Sequence, residues 1–104
     1  MKLIMLTGTL SKNGKSVHIR PQCAQLLGVL SHWFPKTVTY ETIGETIWPH
    51  DADRPSDLSN MIAVMLHETR KRLEVLKAEN LIEVIEGTGL RLCYQIEVDW
   101  AEAV

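Results

Sequence analysis

Four side chains in the second half of the chain have the types and spacing needed to contact DNA bases. Asn60, Ala63, Val64 and His67 recur at helical intervals, which places them on one face of an α-helix. Asparagine can make two hydrogen bonds to adenine, and alanine or valine can contact the methyl group of thymine. A face that only meets water would normally carry more lysine and glutamate. We therefore favour a surface that enters the major groove, with a solvated helix face as the alternative.

Cationic side chains follow in the same segment. Arg70, Lys71 and Arg72 are adjacent in the sequence. Such residues can hold phosphates, which position a protein on DNA without reading its sequence. Cations are also expected near the C-terminal end of any helix, because they interact favourably with its dipole. Both interpretations remain open.

No comparable arrangement predicts catalysis. The histidines are scattered, and none has a second metal ligand one helical turn away on the same face. His50, Asp51 and Asp53 are better explained as a solvated loop than as a metal site. The Gly87–Gly89 turn lacks the lysine and the following helix of a phosphate-binding loop. We predict no enzyme activity, no metal and no cofactor.

Length and composition are those of one small domain, which we expect to span residues 1–104. Apolar residues make up 45% of the chain. No apolar run approaches the ~20 residues that cross a bilayer, so no membrane partner is expected. Cys23 and Cys93 lack partners at metal-binding spacing, which predicts buried, reduced thiols in a cytoplasmic protein.

Charge is distributed unevenly along the chain. The net charge is −2, which is unusual for a protein that binds nucleic acid. Residues 1–40 nevertheless contain five Lys or Arg and no acid, while all 13 acids lie in residues 41–104. Such a field can steer a polyanion toward one face despite a negative total, although chance explains it equally well in a short chain.

Turn signals predict a β-hairpin and a helix in the N-terminal third. The Asn-Gly pair at positions 13 and 14 suits a two-residue hairpin turn, because both positions require a positive φ. Strand-like stretches flank it at Leu3–Leu10 and Ser16–Arg20. Pro21 suits the first turn of a helix, and Pro35 ends that helix.

Two further helices and two strands are expected after this point. Thr39 can cap the second helix, which Pro49 ends. The third helix spans about residues 57–77, with Ser56 or Asp57 as its cap. The chain then continues into two predicted strands: Leu81–Ile85 and Leu90–Val98.

An apolar stripe along the third helix predicts which side faces the core. Its residues recur at helical spacing. They are Leu58, Ile62, Met65, Leu66, Thr69, Leu73 and Leu76. We expect Leu66 to be buried and His67 exposed, with Trp48 buried beside the stripe.

Six short motifs in one order resemble the winged-helix effector domain of OmpR/PhoB-type response regulators. The match runs from about Leu10 to Leu92 and includes the Asn-Gly hairpin turn. The motifs are Val38–Glu41, Ile47-Trp48, Arg70–Glu74, Ile82, Val84-Ile85 and Gly87–Leu92. The resemblance covers nearly the whole domain, here without a receiver domain.

The resemblance implies an α+β winged helix-turn-helix fold: an N-terminal β-hairpin or sheet, a three-helix core and a C-terminal β-hairpin wing. Helix 57–77 would lie in the major groove of double-stranded DNA, and the wing, about 81–98, would touch the backbone. Phosphate contacts are then expected from Thr39, Arg70, Lys71, Thr88 and Arg91.

Several residues depart from the family pattern, and the acids of the wing, with the negative net charge, favour a second hypothesis. Glu68, Glu83 and Glu86 stand where the family often has basic residues, and Met65 replaces a polar residue. Arg20 replaces the usual Thr or Ser before the first helix. A winged-helix module that has lost DNA binding could instead dock RNA polymerase or another regulator. Apolar side chains on the outer helix face also suit that alternative, namely Met61 and Val64.

The loop between Pro49 and Pro55 is longer than a tight helix-turn-helix connection. In the resembled family this loop often touches the transcription machinery. Asp51, Asp53 and Arg54 are therefore predicted to contact RNA polymerase, and a plain spacer is the alternative. Binding as a homodimer or as tandem copies on DNA is compatible with the sequence.

Overall fold

Short strands flank a group of three helices in the computed structural model, which describes residues 1–101. Within those residues there are three α-helices, one 3₁₀ turn and seven strands. The strands are β1 (Lys2–Ile4), β2 (Thr9–Lys12), β3 (Lys15–His18), β4 (Val38–Thr39), β5 (Ile82–Ile85), β6 (Gly89–Leu92) and β7 (Glu97–Asp99). The helices are α1 (Pro21–Trp33), α2 (Tyr40–Ile47) and α3 (Leu58–Val75), with the 3₁₀ turn at Asp51–Asp53. The predicted α+β class is confirmed.

The N-terminal sheet has the strand order β3-β2-β1-β7. Its β2–β3 hairpin turns at Asn13 and Gly14, whose φ values of 52° and 81° confirm the predicted turn. The single strand expected over Leu3–Leu10 is wrong. The chain reverses at Gly8 (φ 67°), so that Leu3 pairs with Leu10 in antiparallel β1 and β2. A Cβ at Gly8 would approach the Ile19 carbonyl oxygen to 2.6 Å, which accounts for the glycine.

The C-terminal hairpin is shorter than predicted. Strands β5 and β6 pair in antiparallel register and join β4 in the order β4-β6-β5. The strand expected over Leu90–Val98 ends at Leu92, and β7 pairs instead with β1 in parallel. Gln95 helps to redirect the chain, because its amide exchanges hydrogen bonds of 2.8 and 3.2 Å with Ser31 of α1. We therefore place the wing at 82–92 rather than 81–98.

Capping residues define where α2 and α3 begin. Thr39 accepts a hydrogen bond from the Thr42 N–H at 3.2 Å, and Asp57 accepts one from the Asn60 N–H at 3.2 Å. These bonds confirm the cap predicted at Thr39 and select Asp57 over Ser56. The predicted end of α3 at residue 77 is two residues too late. Lys77 adopts a left-handed φ of 54°, which closes the helix after Val75.

The core confirms the predicted register of α3. Ile62, Thr69 and Leu73 are fully buried, and Leu66 is 7% exposed, whereas the adjacent His67 is exposed. Trp48 is only half-buried rather than buried. It occupies the C-cap position of α2, so its side chain no longer follows the buried side of that helix.

A glycine brings α2 close to α3. A Cβ at Gly44 would lie 2.8 and 2.9 Å from the two methyl groups of Leu58. Gly44 lowers the intrinsic helicity of α2, by about 1 kcal/mol relative to alanine. Its place in the packing explains why a poor helix former stands there.

The two cysteines differ in exposure. Cys23 is buried in α1, as predicted, whereas Cys93 is exposed just beyond β6, so the expectation of two buried thiols is wrong. The chain leaves the sheet at this position, and the Cys93 thiol lies at the surface 4.0 Å from Glu83 Oε2 of β5. None of the helices within residues 1–101 has the length and hydropathy required to cross a bilayer.

Candidate nucleic-acid interface

The outer side of α3 presents the four residues singled out in the sequence. Asn60, Ala63, Val64 and His67 are all exposed, and they lie opposite the buried stripe. Val64 is 46% exposed although it is apolar. The face therefore offers an amide, an imidazole and methyl groups to a partner, in the combination that can read base edges.

Arg70 connects α3 to the C-terminal hairpin. Its Nη2 donates a 2.7 Å hydrogen bond to the carbonyl oxygen of Ile82 in β5, and the residue is half-buried. This contact directs its guanidinium toward the hairpin. Lys71 and Arg72 are exposed cations that follow it on α3.

The cation of the hairpin is paired with an acid. Glu83 faces Arg91 across β5 and β6, and Glu83 Oε2 accepts hydrogen bonds from Arg91 Nη2 at 2.7 Å and from Nε at 3.0 Å. These hydrogen bonds and the charge of Glu83 raise the pKa of Arg91 above its ordinary value. Its positive charge is thus largely balanced within the hairpin, while Glu86 is exposed near the tip.

The hairpin turn lies against the start of α2. Thr39 pairs with Gly89, and the Tyr40 N–H donates a 3.3 Å hydrogen bond to the Thr88 carbonyl oxygen. Both predicted threonines, Thr39 and Thr88, are exposed. The structure therefore brings together the backbones of two threonines that are 49 positions apart in the sequence, next to a helix N-terminus that favours anions.

The loop before α3 is held by Arg54. Its Nη2 donates a 3.2 Å hydrogen bond to the Trp48 carbonyl oxygen, and its Nη1 lies 3.2 Å from Asp51 Oδ1. Arg54 is half-buried, whereas the Asp51 side chain is 93% exposed and Asp53 is exposed. The two acids are thus exposed at the surface, and Arg54 fixes the loop that carries them.

The sequence did not predict an ion pair on the opposite flank of α3. Arg20 Nε lies 2.7 Å from Glu68 Oε2, and Arg20 Nη2 donates a 2.9 Å hydrogen bond to Glu68 Oε1. The residues are 48 positions apart, so no local pattern could pair them. The related signal in the sequence was the absence of acids from residues 1–40, which include Arg20.

These elements define a winged helix-turn-helix domain: α2 and α3 form the helix-turn-helix, and β5 and β6 form the wing beside it. The chain belongs to the family described as the C-terminal domain of transcriptional regulatory proteins, whose model matches residues 14–92. It is an effector domain of the OmpR/PhoB type, as its motifs predicted. That family is a class of DNA-binding transcription regulators and not of enzymes.

Solved structures of similar fold are response-regulator and related DNA-binding domains. The C-terminal domain of the nisin resistance regulator NsrR, a lantibiotic response regulator, has a TM-score of 0.68 and 27% identity over 83% of this chain and 84% of its own. The DNA-binding domain of CadC from E. coli has a TM-score of 0.68 and 17% identity over 83% and 78%. The DNA-binding domain of CssR from Bacillus subtilis has a TM-score of 0.62 and 21% identity over 78% and 84%. No curated protein is a significant match to the chain.

Proposed function

We propose that this domain binds double-stranded DNA at specific sequences and regulates transcription, with the outer face of α3 in the major groove. The main support for this proposal is that one helix of 18 residues exposes all four candidate base-reading side chains. They are Asn60, Ala63, Val64 and His67. None of the four is acidic, so none opposes the approach of the polyanion. Asn60 is assigned to adenine and the methyl groups of Ala63 and Val64 to thymine.

Under this proposal, three exposed residues supply phosphate contacts. Lys71 lies on the same side of α3 as the base-reading residues. Thr39 and Thr88 offer hydroxyl and backbone donors at the junction between α2 and the wing, where the helix N-terminus adds positive potential. Arg91 must compete with the paired carboxylate of Glu83 to contact a phosphate, and Arg70 fixes the wing on α3.

Two substitutions separate base reading from phosphate binding. Asn60→Ala should cost about 1–3 kcal/mol on the preferred duplex and relax discrimination at one base position. Lys71→Ala should weaken binding to all duplexes and reduce the slope of log affinity against log salt by about one. Selection from random duplexes provides the preferred site, and fluorescence anisotropy at several salt concentrations measures both effects.

Asn80→Ala is the matched control, because Asn80 is an exposed asparagine beyond the end of α3. It should leave affinity and specificity unchanged. If the unmodified domain binds no duplex at ~50 mM salt, where electrostatic attraction is strong, the proposal is wrong. The alternative, a protein-docking module, would then be favoured by the exposed apolar side chains of Met61 (37%) and Val64 (46%). Its partner should be lost on substitution of those two residues.

The loop acids are assigned to a contact with RNA polymerase. Asp51 and Asp53 are exposed on a turn that Arg54 holds in place. Asp51→Ala with Asp53→Ala should lower transcription from a reporter promoter while leaving DNA affinity unchanged. Glu79→Ala, another exposed acid outside the loop, is the control. Unchanged transcription in the loop variant would show that the segment is only a connector.

A further inference from the structure

A basic groove of about 440 Å³ runs along the flank of α3 that lies away from the wing. It is bounded by α3, the end of β3 and the start of α1. Among the described residues that line the groove, four are basic and one is acidic. They are His18, Arg20, Lys71 and Arg72, with Glu68 as the acid.

The position of the groove follows from the helical arrangement of α3. At 100° per residue, Glu68 lies about 40° beyond Val64, at the edge of the base-reading face. Arg72 lies about 40° farther round, between Glu68 and the buried stripe of α3. Arg70 lies at the other edge, where it contacts Ile82 of the wing. The base-reading face is therefore bordered by the wing on one side and by the basic groove on the other.

A helix in the major groove lies between two phosphate backbones, because the groove is only about 12 Å wide. With the outer face of α3 in the groove, as proposed above, the wing and the start of α2 would face one of these backbones. The basic groove would face the other. Its charge suits that position: with histidine neutral, it carries three cations against one carboxylate, while the whole chain carries −2.

The ion pair inside the groove shows how a phosphate would be held. Glu68 presents its two oxygens to Arg20 at 2.7 and 2.9 Å, which is a two-point contact between guanidinium and carboxylate. A phosphate accepts the same pair of hydrogen bonds from arginine. Both side chains are substantially exposed, at 58% and 39%, so a phosphate can reach Arg20 from solvent.

We propose that the basic groove binds the phosphate backbone of the second DNA strand, and that Glu68 is the counterion which a phosphate displaces from Arg20. This inference rests on the proposed function, since it uses the same orientation of α3. Arg20 and Arg72 are then phosphate ligands in addition to Lys71. Glu68 weakens binding to every sequence, because each phosphate must compete with its carboxylate.

Arg72→Ala tests the groove by removing one phosphate contact. It should weaken binding to the preferred and to unrelated duplexes alike, and reduce the salt slope by about 0.9. The ratio of the affinity of the unmodified domain to that of the variant should then fall about threefold between 50 and 200 mM salt. Lys36→Ala is the control, because Lys36 is an exposed cation beyond the opposite end of α1. It removes the same charge and should leave the slope unchanged.

Glu68→Gln tests the counterion. It should tighten binding to all duplexes severalfold, and this gain should disappear when Arg20→Ala is also present. Thermal unfolding of each variant checks that the fold is retained. An Arg72→Ala slope equal to that of Lys36→Ala, or no gain from Glu68→Gln, would overturn the inference. If Asn60→Ala still relaxes specificity in that case, only the groove is wrong, whereas failure of the unmodified domain to bind DNA overturns both proposals.

Discussion

We expect Gly89→Ala to separate the wing from the start of α2 and to destabilise the domain by about 3 kcal/mol or more, the upper end of the cost of overpacking. A Cβ at Gly89 would collide with the carbonyl oxygen of Val38, and would lie 2.7 Å from its carbonyl carbon and 2.9 Å from Thr39 Cα. All three are backbone atoms, so no side chain can move aside. Relief requires that β4, which has two residues, move away from β6.

The same substitution should also weaken DNA binding, because the β4–β6 pairing holds Thr39 beside Thr88.

Gly87→Ala is the matched control for stability, at the other end of the same turn. A Cβ there meets no atom within 4 Å, and the positive φ of 74° costs roughly 1–2 kcal/mol. Urea unfolding measures both variants. Equal stability of the two would contradict the close approach of β4 and β6.

Leu66→Ala should lower the free energy of unfolding by about 2–5 kcal/mol, through lost burial and the cavity that remains. This is a large share of the 5–15 kcal/mol typical of a native domain. For a domain of this size, each kcal/mol lowers Tm by roughly 4–8 °C. Calorimetry or thermal circular dichroism would measure the change directly.

His67→Ala provides the control at the adjacent position. Because His67 is exposed, its loss should change stability by no more than about 0.5 kcal/mol while it weakens discrimination between duplexes. The two neighbours should thus affect different properties. If His67→Ala destabilised the fold more than Leu66→Ala, the register of α3 described here would be wrong.

Local chemistry was sufficient wherever one or two residues dictate the backbone. The Asn13-Gly14 turn, the cap Thr39 and the buried stripe of α3 were predictable, and Asp57 was one of two candidate caps for α3. Each depends on φ preferences, on a side chain that reaches the nearest free N–H, or on a period of 3.6 residues. Failures occurred where the same local signal fits two structures. Residues 3–10 suit one strand as well as two, until pairing of Leu3 with Leu10 decides.

The sequence by itself determined the class of fold, the order of the helices and the face of α3 that is exposed. Only the tertiary structure decided which partner each cation has, and therefore what a phosphate must displace to reach it. Arg91 is balanced by Glu83, Arg70 is held by the Ile82 carbonyl, and Arg20 is joined to Glu68. The physical reason is that periodicity and propensity act within a few residues, whereas ion pairs form between groups that folding brings together. Arg20 and Glu68 are 48 positions apart and 2.7 Å from each other, and no local pattern carries that information.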